Sequence, residues 1–274
     1  MTSATALRAP RLAVVGSILA AAAPAFAQEC HPLPGTNVPD PPAREAPAEL
    51  DAGAPIIGMR AGMAFEAASI DDGLGRHGNY TGAISSVEVA ALGARARVSL
   101  GAYRIDWGQR GMGLGDVQLA LQRAVIAFGQ THVGAAVSAT LPTGDVRDEL
   151  GMGHPMIMPA GWARWADGRN SLLVSIVYGS MLGGHHHGMV EPVVSPMNSE
   201  EVSGGLRAGR RFGRTELAMT ANGAIPIGPG LARGAFGGAA HWDFGDTELG
   251  FDISAPFGGT PIHARGLFEI SRGF

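Results

Sequence analysis

From about residue 55 onward, apolar and polar side chains alternate along the chain with period two, the spacing that sends successive side chains to opposite faces of a strand. Leu249, Phe251, Ile253 and Ala255 share one face, while Glu248, Gly250, Asp252 and Ser254 share the other. Val133, Ala135, Val137, Ala139 and Leu141 oppose His132, Gly134, Ala136, Ser138 and Thr140 in the same way. Ala94, Ala96, Val98 and Leu100 oppose Arg95, Arg97, Ser99 and Gly101. One parity suits hydrocarbon and the other suits water. That is the pattern of an all-β, transmembrane antiparallel β-barrel.

Turn signals of two kinds divide the chain. Short ones stand at Leu92-Gly93, Phe128-Gly129-Gln130, Asp167-Gly168-Arg169-Asn170, Phe212-Gly213-Arg214 and Phe244-Gly245-Asp246, where glycine supplies the positive φ of a tight hairpin. Between them lie longer polar or glycine-rich connections near 67–80, 108–113, 143–154, 182–198, 226–230 and 258–261. The strict alternation of short and long predicts about twelve strands, with short periplasmic turns, longer outer loops and both ends of the barrel on the periplasmic side. The predicted strands are 55–66, 81–91, 94–107, 114–126, 131–142, 155–167, 170–181, 199–212, 214–225, 231–243, 247–257 and 262–274. The sixth fits neither parity well, because Pro155, Pro159, Trp162, Arg164 and Trp165 interrupt the alternation.

The two ends of the sequence agree with export. Arg8 and Arg11, the apolar stretch from Leu12 to Ala23, and Ala25-Phe26-Ala27 read as a cleaved N-terminal signal peptide over residues 1–27. Residues 28–54 carry Pro32, Pro34, Pro39, Pro41, Pro42 and Pro47 and read as a Pro-rich periplasmic tail preceding a barrel over 55–274. No apolar run reaches the length of roughly 20 residues that a membrane-spanning helix needs. Phe274 closes the last strand with an aromatic, as the wall of an outer-membrane barrel requires, whereas a soluble periplasmic β-protein gains nothing from that residue or from the loop asymmetry. The single cysteine, Cys30, excludes an intrachain disulfide, and the residues before it lack a lipidation pattern.

If the apolar parity faces lipid, the charged residues turn inward. Arg60, Glu88, Arg95, Arg97, Asp116, Arg207, Glu216, Arg233, Glu248, Asp252 and Arg265 are the predicted lumen or pore-lining set, with Glu66, Glu201, Asp243 and Glu269 on the same parity. An arginine at mid-bilayer on the lipid face would cost about 2–4 kcal/mol, so this parity supports the barrel whatever the lumen does. Two arrangements are open: cross-strand pairs that fill a narrow interior, or a basic side of Arg95, Arg97 and Arg207 facing Glu248 and Asp252. The formal net charge of -4 and the dispersal of both signs leave no basic stripe for nucleic acid.

Gly113-Leu114-Gly115-Asp116-Val117-Gln118-Leu119, followed about twenty residues later by Leu141-Pro142-Thr143-Gly144-Asp145, resembles the outer-membrane transporters grouped as the phenol-degradation meta-pathway family. The resemblance covers mainly residues 95–150 and implies a channel for small-molecule solutes, with aromatic compounds the class its name suggests. It carries over no catalytic or ligand residues.

Two outer loops concentrate soft ligands. Met152 and His154 lie in one, and His185, His186, His187 and Met189 in the other. Imidazole suits Cu and Zn, and thioether suits Cu(I), so a Cu or Zn site is the cofactor expectation against a plain polar loop. Enzyme chemistry has no comparable support. The sequence lacks a nucleophile elbow, a His-Glu-x-x-His helix and a phosphate-cradling loop, leaving His77, His154, His185 and Asp145 as scattered parts. The expectation is a non-enzymatic passive channel partnered by the outer-membrane lipid bilayer, and the alternative is a structural or metal-binding barrel without transport.

Overall fold

A computed structural model describes residues 58–71, 77–107, 109–144, 150–183, 198–259 and 261–274. The signal segment 1–27, the tail 28–54, Asp145 and the His185–His187 and Met189 cluster lie outside the described residues. Thirteen strands are present among the described residues: β1 (Gly58–Asp71), β2 (His77–Ala91), β3 (Ala94–Trp107), β4 (Gln109–Leu114), β5 (Val117–Phe128), β6 (Thr131–Leu141), β7 (Met156–Ala166), β8 (Asn170–Met181), β9 (Glu200–Phe212), β10 (Thr215–Pro226), β11 (Arg233–Asp243), β12 (Thr247–Gly258) and β13 (Ile262–Gly273).

Apart from β4 and β5, which both pair with β3, each strand pairs antiparallel with its sequence neighbours, and β1 pairs with both β2 and β13, which closes the sheet. β4 and β5 share one position in the wall. β4 pairs with Ala102–Trp107 of β3 and β5 with Ala94–Ser99, so the barrel has twelve staves. Closure removes every exposed strand edge, and that is what lets a sheet exist in hydrocarbon.

The connection expected over 108–113 is largely strand. β3 turns back within the expected range, with Trp107 opposite Gln109, and the returning stave is interrupted at Gly115-Asp116 between β4 and β5. Glycine-rich polar sequence reads as loop by composition, but Met112 and Leu114 keep the period-two alternation and lie exposed on the outer face. The five expected short turns are all present. Gly93, Gly129, Gly168, Gly213 and Gly245 each adopt positive φ, between 59° and 86°.

The outer surface carries a continuous apolar band. Every stave contributes an exposed large side chain, from Phe65 on β1 through Val98 on β3, Leu121 on β5, Ile176 on β8 and Met219 on β10 to Phe268 on β13. Exposed apolar area of this extent is an interaction surface, and one that encircles the molecule fits acyl chains. At the short-turn end Phe128, Phe212, Phe244 and Phe274 are all exposed, forming an aromatic girdle. The Arg210 guanidinium lies 5.7 Å from the Phe212 ring centroid, and that of Arg272 lies 6.0 Å from Phe274.

β7 takes a definite parity that its sequence obscures. Met156 and Met158 are buried with Ala160, Trp162 and Arg164 on the lumen side, while Ile157 and Trp165 are exposed. Trp162 fits because its ring lies over Gly134 of β6, where a Cβ would stand 2.2 Å from the indole.

Candidate functional site: a charge-compensated lumen

Toward the short-turn end the lumen holds a cavity of about 120 Å³ lined by Arg60, Glu88, Arg95, Arg97, Arg207, Glu216 and Glu248 from the predicted set. Arg164, His241, Asp243, Glu269 and Ser271 join them. Arginines and acids are matched in number there, five against five: Arg60, Arg95, Arg97, Arg164 and Arg207 face Glu88, Glu216, Asp243, Glu248 and Glu269.

The matching is local. Arg95 lies 3.2 Å from Glu88 on the adjacent strand, and Arg207 lies 3.3 Å from Glu216. Other pairs reach farther around the wall. Arg60 of β1 crosses β13 to Glu248 of β12 at 2.9 Å and donates to Ser271 on the way, also at 2.9 Å. Arg211 of β9 crosses β10 to Asp243 of β11 at 3.2 Å. Arg97 of β3 donates to Ser86 at 3.3 Å and reaches Glu269 of β13 at 3.7 Å. His241 stands between two acids, 3.6 Å from Glu248 and 3.7 Å from Asp252.

Arg95 and Arg97 lie on β3 and Arg207 on β9, five staves away, with acids beside each. The interior therefore has cross-strand pairs rather than one basic side facing one acidic side. In a partly shielded interior such pairs satisfy charges that would be costly alone.

The long-loop half is filled differently. Glu66 is buried, receives a hydrogen bond from the Tyr80 hydroxyl and pairs with Arg265 at 2.6 Å. Tyr80 packs edge-on to Tyr103 with ring centroids 6.3 Å apart, and Ala68, Ile70, Ile105, Trp107, Leu150 and Ile262 complete the cluster. Tyr103 lies flat on a seat of glycines: a Cβ at Gly82 or Gly101 would come within 2.3 Å of its ring. Across the lumen Arg233 pairs with Glu201, both buried, and Glu201 also accepts from the Asn198 side chain at 2.8 Å.

The strand break at Gly115-Asp116 has a specific use. One Asp116 carboxylate oxygen accepts the Gly144 N–H at 2.8 Å and the other accepts the Met152 N–H at 2.7 Å. The Thr143 hydroxyl accepts from Val117 N–H at 2.9 Å. The two glycine-aspartate segments, far apart in sequence, thus meet and clasp each other. Asp116 accordingly lies at this clasp and not on the cavity, as do Arg233 and Arg265 in their own pairs; Asp252 stands beside His241.

His241, Arg164, Arg211, Tyr80 and Tyr103 were absent from the sequence-derived set. For His241 the signal was available, since it shares parity with Asp243 two residues on. Arg164 was hidden by the ambiguous parity of β7. Met152 lies buried among Met156 and Met158, and both ring nitrogens of His154 are shielded from solvent.

No family model matches the chain, and no curated protein matches it in sequence. Solved structures do. An outer membrane channel from Pseudomonas putida F1 superimposes with a TM-score of 0.61 at 12% identity, over 84% of this chain and 100% of that one. The fold is that of an outer-membrane β-barrel. The translocator domain of the autotransporter NalP from Neisseria meningitidis gives a TM-score of 0.50 at 12% identity, over 80% of this chain and 88% of the other. At such identity the likeness is one of fold. The comparisons do not show the phenol-degradation family for this chain.

Proposed function

We propose that this outer-membrane barrel is a passive channel for small solutes, crossed by diffusion through a narrow, charge-compensated lumen. The observation that carries the reading is the lumen cavity walled by paired arginines and acids, inside a band whose outer face is predominantly apolar. A solute that sheds water there meets fixed donors and acceptors of both signs, which lowers the cost of entering a space narrower than bulk water. Because each charge has a neighbour of opposite sign, neither cations nor anions gain a large advantage. Small aromatic compounds are the substrate class this reading favours, because the family resemblance of the two glycine-aspartate segments suggests them.

Liposome swelling tests the reading. Proteoliposomes are expected to admit small neutral solutes such as phenol-sized alcohols faster than protein-free vesicles, with rates falling steeply as solute size rises. Equal rates with and without correctly inserted barrel would overturn it.

A further inference from the structure

Three of the chain's eleven methionines gather at the long-loop end of the lumen, with a fourth, Met181, in register beside them. Met152, Met156 and Met158 pack with Val177 into one cluster and are 2%, 0% and 2% exposed. Met156 and Met158 alternate on the inward parity of β7, and Met181 on β8 is the register partner of Met156. On the other side of β7, Thr140 is the register partner of Met156. Its hydroxyl oxygen is buried and has no hydrogen-bond partner among the described residues. His154 lies between Met152 and Met156 in the chain, with both ring nitrogens shielded from solvent.

Barrel interiors are ordinarily polar, and a gap that merely needed filling would be better specified by leucine or isoleucine than by repeated methionine. What methionine adds is a polarizable sulfur. Thioether sulfur is a soft ligand that selects Cu(I) over Zn, Mg or Ca, and imidazole nitrogen complements it. All these donors are neutral, so a bound ion keeps its charge in a shielded place. That cost is smallest for a monovalent ion.

We propose that this cluster binds one soft monovalent metal ion, Cu(I) or its analogue Ag(I), through the sulfurs of Met152, Met156 and Met158, with His154 and Met181 as further donors. The site is independent of whether the lumen conducts.

The test uses the whole protein refolded in detergent, with its electrophoretic heat-modifiability confirming a closed barrel. Under anaerobic conditions, Cu(I) is titrated against a bicinchoninate competitor. One ion per barrel is expected, and Met156→Leu/Met158→Leu, which conserves volume, is expected to weaken binding by at least about tenfold. His185/His186/His187→Ala is expected to leave the affinity unchanged. Failure of the wild-type barrel to take Cu(I) from the competitor, or loss of binding in the histidine variant alone, overturns the proposal. Should the methionine variant not fold, X-ray absorption on the Ag(I)-loaded wild-type barrel decides. Sulfur in the first coordination shell supports the site, and only nitrogen or oxygen overturns it.

Discussion

Arg97 on β3 lies 3.7 Å from Glu269 on β13, although β2 and β1 run between them. The bridge passes over Gly62 of β1, where a Cβ would stand 3.0 Å from the Ser86 hydroxyl and 3.5 Å from the Glu269 carboxylate. Gly62 thus leaves room beside the Ser86 hydroxyl to which Arg97 also donates. Together with the Arg60–Glu248 and Arg211–Asp243 bridges, this makes the lumen charges cross-braces between staves that share no backbone hydrogen bonds.

Charge compensation predicts weak ion selectivity. With five arginines matched by five acids around the cavity, the reversal potential of the wild-type barrel in a salt gradient should lie close to zero. Glu269→Gln should shift it toward anions and Arg97→Gln toward cations, the shifts growing as salt is lowered and screening weakens. Equal reversal potentials in all three would mean that ions do not pass these residues.

The two faces should respond oppositely to the same substitution. Ile253 is exposed on the lipid side of β12 and Ser254 faces the lumen. Ile253→Arg should cost about 2–4 kcal/mol of stability in lipid, whereas Ser254→Arg should cost much less. Reversible denaturant unfolding in liposomes measures both.

Asp116 holds the backbone on either side of the 145–149 segment through two charge-assisted hydrogen bonds. Asp116→Ala removes both acceptors and should destabilise the barrel by about 1–3 kcal/mol. The temperature at which the folded band converts to the unfolded one on electrophoresis should fall accordingly. Asp116→Asn, which retains one carbonyl oxygen, should lie between the two.

At the short-turn end, the Asn170 backbone N–H, its side-chain amide and the Arg169 N–H hold the Asp167 carboxyl below its ordinary range. A carboxyl lowered on folding contributes stability above its unfolded pKa, and that contribution disappears as pH falls through the lower, folded value. The side chain is exposed, so the effect on stability is small. The direct check is an NMR titration of the Asp167 carboxyl carbon, expected to have its midpoint below that of Asp167 in an unfolded peptide of the same turn.

The wall was readable in the sequence because two local rules determine it. Period-two alternation assigns each side chain to lipid or lumen, and positive φ requires glycine at Gly93, Gly129, Gly168, Gly213 and Gly245. Where a residue serves two purposes, the rules lose their hold. The 109–114 segment is strand despite loop-like composition because it pairs along Ala102–Trp107 of β3, while the glycines that seat Tyr103 are Gly82, Gly101 and Gly115. β7 hides its parity because Met156 and Met158, apolar residues, face the lumen to join the methionine cluster. Partner choice inside the lumen was not readable at all. That Arg97 would find Glu269 and Arg60 would find Glu248 depends on register summed over several staves.

Single-channel recording in a planar lipid bilayer tests the central claim most directly. Insertion of the refolded barrel should give discrete, small conductance steps that scale with salt concentration, and Arg97→Ala/Glu269→Ala, which removes the brace across the lumen, should enlarge them. Barrels shown to be folded and inserted that remain electrically silent, with both the native and the unbraced lumen, would contradict it.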